Sequence, residues 1–385
     1  IIVNANMTNG PVAIPRFILR FPLGRAAYSG LKAAGNQAFP RPLRIERARV
    51  RDVSLLPLSR QKRSPMLNRR HLLQGSAALV LGSSAALRAV EAAQFKPNFD
   101  KLEHRVTDRS APEVFFIPAL TPDAMTRVYH ALHWKPVGRV GVKVNFEGKG
   151  KPYVDPRLIA PVVKEVKGTF LESNTYSTTR DRLKLAEELG FAAVAPTDII
   201  DDQGTIDLPV KNGYHLKFHR VGSHFKNYDS VISIVRYKLH NLAQLGGTLK
   251  NLSITLSPFI GRCNIHSAGR SLTWQESDPE TTAESITDAV KGGLAARPGR
   301  WAFLCAMPAF TPKDNCRGAI DVGNIGVFAS LDPVALDAVC TDITLQSAPD
   351  KATRDAWIKA HTLTILDKAE KNGVGRRSYR LTILK

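Results

Sequence analysis

Between residues 138 and 385, short apolar runs alternate with amphipathic stretches. RVGVKVNF (139–146) reads as a strand. Asp155-Pro156 then supplies an N-cap followed by proline at the first helical position, and Leu158, Ile159, Val162, Val163 and Val166 recur at helical spacing. GTFLESN (168–174) predicts the next strand, and TTRDRLKLAEELG the next helix, with Gly190 at its stop position. FAAVAPTDII, TIDLPV, YHLKFHRV and SVISIVRY predict further strands, the middle pair forming an antiparallel hairpin around Lys211-Asn212-Gly213. A helix over 282–296, strands RWAFLCAMPAF and IGVFASL, a helix opened by Asp332-Pro333, one long helix near 351–372 and a terminal strand YRLTIL complete the series, while 257–282 shows no clear period. Strands alternating with helices of this length predict an α/β fold: a mostly parallel mixed sheet flanked by helices, with an antiparallel strand insertion.

The chain has 385 residues, 43% of them hydrophobic and 23% charged, so a packed core is within reach. Its formal net charge of +20 points to a nucleic-acid partner only if the charge is spread over the folded part. It is not. Half of the excess falls in residues 1–65, which have no sustained period and are expected to be disordered, over-extended translation ahead of Met66. MLNRRHLLQGSAALVLGSSAALRAVEAAQF follows, with paired Arg69-Arg70, a mild apolar stretch and Val90-Glu91-Ala92 as a cleavage site. That layout predicts a twin-arginine signal peptide over 66–93, the twin-arginine export machinery as a partner, and a periplasmic or otherwise exported location. The stretch is broken by Gln74, Gly75, Ser76, Gly82, Ser83 and Ser84, whereas a spanning helix needs about 20 mostly apolar residues. No stable membrane span is expected after signal removal. Residues 94–137 read as an N-terminal extension, and 138–385 as the α/β domain. No basic-aromatic motif for nucleic acid appears, and no nucleic-acid partner is expected. Cys263, Cys305, Cys316 and Cys340 form no C-x-x-C pair and carry no zinc or iron-sulfur spacing.

In an open α/β sheet, ligands bind outside the carboxyl ends of the strands. Three strands here finish with two polar residues one spacer apart, which puts both on one face: Lys143-x-Asn145, Glu172-x-Asn174 and Lys238-x-His240. A fourth runs into Asp332-Pro333, with Asp337 one turn later. Beyond His240, Gly246-Gly247 permits a sharp turn, Thr248 can cap the next helix, and Lys250 and Asn251 fall in its first turn, a combination suited to a carboxylate or phosphate. Neither a P-loop nor a dinucleotide fingerprint is present.

The order of VGVKVNF with Asp155-Pro156, FLESN, YDSVISIVRYKLHNLAQLGGTLKNLS, FASLDPVALDAV and AEKNGVGRRSYRLTIL resembles the domain of unknown function 362 family over roughly residues 138–385. The strand that ends in Pro-Lys-x-Lys-Thr-His in that family here ends in Lys238-Leu239-His240, with Leu in place of Thr. The family's ferredoxin cysteine motifs are absent, which removes an iron-sulfur cluster from the expected cofactors. The resemblance implies the fold and no reaction, since the family has none assigned.

His240, Lys238, Lys143 and Glu172 are the candidate catalytic residues, and Asn145, Asn174, Thr248, Lys250 and Asn251 the candidate ligand-binding ones. His240, His266, Asp332 and Asp337 are of the types that hold a divalent metal, although their spacing does not demand one. His215 and His219 lie on a strand pattern and read as surface residues. The expected activity is that of an exported enzyme acting on a small anionic substrate. The alternative is a periplasmic ligand-binding or redox-accessory protein that uses the same pocket without turnover.

Overall fold

The computed structural model describes residues 95–147, 151–310, 322–361 and 363–385. The expected signal peptide and Cys316 lie outside the described residues. In chain order the elements are β1 (Glu113–Ile117), α1 (Pro122–Ala131), β2 (Val140–Lys143), α2 (Pro156–Glu165), β3 (Thr169–Glu172), α3 (Thr179–Glu188), β4 (Thr197–Ile199), β5 (Thr205–Pro209), β6 (Phe218–Gly222) and β7 (Ser230–Arg236). They continue with β8 (Leu239–His240), β9 (Gln244–Leu245), α4 (Thr248–Leu252), α5 (Phe259–His266), α6 (Pro279–Ala295), β10 (Trp301–Met307), β11 (Gly326–Ser330), α7 (Pro333–Gln346), α8 (Lys351–His361), α9 (Ile365–Lys371) and β12 (Arg380–Ile383).

Eight strands form one sheet in the order β12-β1-β11-β10-β7-β2-β3-β4. Only β11 runs antiparallel to its neighbours, β1 and β10. The remaining pairs are parallel, as the alternation of strands and helices predicts. β1 comes from the stretch read as an extension and sits inside the sheet, paired to both β12 and β11. β5 and β6 form the expected antiparallel insertion.

Along β10 the side chains divide strictly by parity. Phe303, Cys305 and Met307 enter one core, and Ala302, Leu304 and Ala306 the other. The first core is closed by Leu249 and Leu252 of α4, Ile286, Ala289 and Val290 of α6, and the apolar side of α7. The second is closed by Met125 and Val128 of α1, Ile159, Val162 and Val163 of α2, and Ala186 of α3. Because both faces are covered, β10 is buried at every position, which explains its unbroken apolar run. The caps read from the sequence hold: Asp155 accepts from Arg157 N at 2.9 Å, and Asp332 accepts from Val334 N and Ala335 N at 2.9 Å each. Proline follows both caps at the first helical position.

Four expectations change. FAAVAPTDII yields only Thr197–Ile199 as strand, because Phe191 to Ala195 make a hydrogen-bonded turn that brings Phe191 against Phe146 and Phe170. The long helix near 351–372 is two helices, α8 and α9. At their junction Gln244 Oε1 accepts from Thr364 N and Ile365 N, both at 2.8 Å, so a side chain from β9 caps the start of α9. The featureless 257–282 contains α5. His219 is not a surface residue: α6 covers its face of β6, and Gly292 allows the close approach, since a Cβ there would lie 3.2 Å from His219 Cβ.

Candidate functional site

β2 and β3 are adjacent and parallel, so their last residues meet. Lys143 is fully buried at the end of β2 and Glu172 is 1% exposed at the end of β3, with Lys143 Nζ 3.0 Å from Glu172 Oε2. Glu172 Oε1 accepts from Phe146 N at 2.8 Å and from Arg182 of α3, and Glu172 Oε2 also accepts from Ser173 N at 3.2 Å. A buried carboxylate with two cations and two amides around it is fully satisfied. Burial pushes the Lys143 amine below its ordinary range, with Glu172 pulling the other way. Behind this pair Arg262 of α5 donates to Ser257 O and to Ser173 Oγ, each at 3.0 Å. Its guanidinium is also pushed down by burial.

In front lies a narrow cleft of about 30 Å³ at the carboxyl ends of β2 and β7. Asn145, Glu147, Tyr153, Gly247, Lys250 and Asn251 are among its lining residues. Glu147 Oε1 accepts from Lys238 Nζ at 2.9 Å and from Asn145 Nδ2 at 2.9 Å. Burial alone would raise the Glu147 pKa, but Lys250 and Lys238 hold it below its ordinary value. Asn251 donates to Lys143 O at 3.0 Å and Ser233 Oγ at 2.9 Å and accepts from Thr255 Oγ1 at 2.7 Å, so it ties α4 to β2 and β7. Gly246 is required by the packing: a Cβ there would lie 2.5 Å from Lys238 Cγ.

Lys250 differs from the other cations of this region. Its carbonyl accepts from Thr255 N at 3.1 Å, but its Nζ makes no hydrogen bond or ion pair among the described residues, and the residue lines the cleft. Burial pushes its pKa down to about 8; Glu147 opposes that shift, while Lys238 and Arg262 add to it.

The amides at the start of α4, expected to cradle an external anion, are filled from inside the protein. Asp337 Oδ1 accepts from Thr248 N at 2.7 Å and Asp337 Oδ2 from Leu249 N at 2.9 Å. The Thr248 side chain is wholly buried. Gly247 makes room for this carboxylate, since a Cβ would sit 2.4 Å from Asp337 Oδ1. Burial raises the Asp337 pKa to about 6 against those hydrogen bonds. Asp332 is engaged elsewhere, capping α7 and accepting from Arg376 N at 3.0 Å. Asn174 stands at the end of β3, with its N–H on Asp201 Oδ1 at 2.8 Å and its Oδ1 accepting from Thr179 Oγ1 at 3.2 Å.

His240 Nδ1 accepts from Leu242 N at 3.2 Å and Ala243 N at 3.1 Å, inside its own turn between β8 and β9. His266 is 4% exposed, its ring centroid lies 4.7 Å from that of Trp274, and its Nδ1 has no hydrogen-bond partner among the described residues. Burial, with Arg262 and Lys250 adding, pushes its pKa down to about 4. Among the described residues no three His, Cys, Asp or Glu side chains gather as a metal site. Lys143 with Glu172, and Asn145 with Lys250 and Asn251, are therefore brought together, while Asn174, Asp332 and the His240 Nδ1 lie in local structure of their own.

Three site residues carried no expectation from the sequence. Glu147 extends the Lys143-x-Asn145 series by two and could have been read from that spacing. Arg182 and Arg262 sit on helices distant in sequence, and nothing local signals that they converge on Glu172 and Ser173.

Among solved structures, the chain is similar to a protein from Thermotoga maritima at 11% identity, with 65% of this chain and 58% of that one covered and a TM-score of 0.37. It is also similar to the lactate racemase apoprotein from Thermoanaerobacterium thermosaccharolyticum at 12% identity, with 65% and 60% covered and a TM-score of 0.37. The chain thus spans about three-fifths of the length of each. No curated protein matches it. The profile of the domain of unknown function family DUF362 matches residues 140–342, more than half of the chain. With the fold and the ordered strand-end residues described above, this places the chain in the DUF362 family.

Proposed function

We propose that the cleft at the ends of β2 and β7 binds a small anion through Lys250 and that the chain is an exported enzyme acting on that anion. The observation that carries this reading is the state of Lys250: a largely buried residue lining a narrow, partly open cleft, its Nζ without a hydrogen bond or ion pair among the described residues, near a Glu147 that Lys238 already pairs. An ammonium so placed gains a charge-assisted hydrogen bond from a carboxylate or phosphate, worth about 1.5–3 kcal/mol. Asn145 and Tyr153 line the same cleft. The paired Arg69-Arg70 and the apolar stretch after them support an exported location.

The test is thermal unfolding of the wild type and Lys250→Met against a panel of small carboxylates and phosphates. An anion that occupies the cleft raises the wild-type midpoint by mass action, by about 2.7 kcal/mol at a hundred times its dissociation constant. The variant shows no such rise. Equal shifts in both proteins would refute the site. Binding without turnover is separated from catalysis by incubating the wild type with the stabilising anion and assaying for its conversion: the enzyme reading requires product, absent in Lys250→Met, and a binding protein returns the anion unchanged.

A further inference from the structure

We propose that the cavity between β9, α7, α8 and α9 binds a small apolar carboxylic acid, whose carboxyl group meets His104 Nε2. This site is separate from the cleft of Lys250 and does not depend on the anion reading above.

The cavity measures about 240 Å³, and Leu245, Leu345, Ile358, Ile365 and Leu366 give it an apolar wall. An apolar hole of about 150 Å³ takes a molecule the size of benzene, so this one has room for a chain or ring of about six carbons with a carboxyl group attached. Arg354 and Arg377 also line it, but Arg354 pairs with Glu103, and Arg377 with Asp367 and Glu370, so these charges are matched within the protein.

The polar end of the cavity is built around His104. The Asp342 carboxylate is buried, accepts from His104 N at 2.9 Å and Tyr379 Oη at 2.7 Å, and stands 2.8 Å from His104 Nδ1. A carboxylate beside one ring nitrogen draws the imidazole proton there and fixes the ring, which leaves Nε2 as the working atom. Nothing among the described residues bonds to Nε2, and the ring is partly exposed where the residue lines the cavity. The hydrogen bond to Asp342 raises the His104 pKa above its ordinary value, against the opposing effect of burial. An imidazole and a carboxylic acid share one proton, so the hydrogen bond forms whichever partner holds it, and the matched pair is tolerated beside apolar walls where a lone carboxylate is not. A phosphate brings a second charge that one imidazole does not match. Asp342 and Tyr379 are positioning residues, since their polar atoms are spent on each other and on His104.

The experiment is calorimetric titration of the full chain with butyrate, pentanoate and hexanoate, with hexanol as the chain that lacks a carboxyl group. The expected result is one-to-one binding of the acids that tightens about three- to fourfold with each added methylene. In His104→Gln hexanoate weakens about tenfold or more while hexanol changes less. Ile358→Trp, whose indole fills the cavity and leaves the pair of His104 and Asp342 in place, loses both ligands, and Lys250→Met binds hexanoate as the wild type does. Ligand-free unfolding midpoints show which variants are folded. The chain-length series is read on the wild type alone, so an affinity indifferent to chain length, or no saturable binding, overturns the site whether or not a variant folds. Wild-type affinity for hexanoate in folded Ile358→Trp overturns it as well. Loss of hexanoate in Lys250→Met with Ile358→Trp unaffected would place the acid in the other cleft, refuting this proposal and supporting the anion reading.

Discussion

Replacing Glu172 by Gln removes one charge from a position that is 1% exposed while leaving its shape almost unchanged. The wild-type carboxylate compensates Lys143, which is fully buried, and Arg182, which is 6% exposed, and it accepts two backbone N–H groups. In Glu172→Gln the amide cannot serve four donors, and two cations remain in the interior without their anion. Breaking a buried ion pair by removing one partner costs about 3–5 kcal/mol, far more than the about 0–1 kcal/mol of an exposed pair. Adding Lys143→Met removes one stranded cation, so the double variant should recover about 1–3 kcal/mol of that loss. Equilibrium urea unfolding of the two single variants, the double variant and the wild type completes the cycle. A Glu172→Gln loss below about 1 kcal/mol, or strictly additive effects, would refute the claim that these strand ends are organised around one buried charge network.

Three further outcomes follow from the same structure. His219 and His266 have pKa values pushed down to about 4, below the usual 6.5, so their contribution is complete above pH 6.5 and is lost as pH falls through 4. Each is worth up to about 3 kcal/mol, partly offset by Asp337, which at about 6 acts in the opposite sense; urea midpoints from pH 7.5 to 4.5 should fall, and less steeply in His266→Asn. Anion affinity measured by calorimetry should be flat below pH 8 and decline above it as Lys250 loses its charge, and Lys250→Met should weaken binding by about tenfold or more without that pH dependence. Gly247→Ala should destabilise by about 1–3 kcal/mol in urea unfolding, because its methyl group would displace Asp337 from the α4 amides.

The sequence is informative where a feature is local. Asp155-Pro156 and Asp332-Pro333 start helices because capping and proline geometry are decided within a few residues. The parallel sheet follows from the alternation of elements, and the meeting of Lys143 with Glu172 follows once β2 and β3 are neighbours. What depends on distant partners was not legible. The α4 start has the composition of an anion cradle, but the anion is Asp337, 89 residues away in sequence. His219 alternates like a surface residue, yet α6 covers it and Gly292 closes the gap. The break before α9 is made by Gln244, 120 residues earlier.

Competitive acetylation of Lys250 across pH, with and without a bound carboxylate, tests the central claim most directly, because it reads the one amine on which the account depends. The prediction is a reactivity midpoint near pH 8 and protection by the anion. A midpoint shared with the exposed lysines, together with no protection, would contradict it.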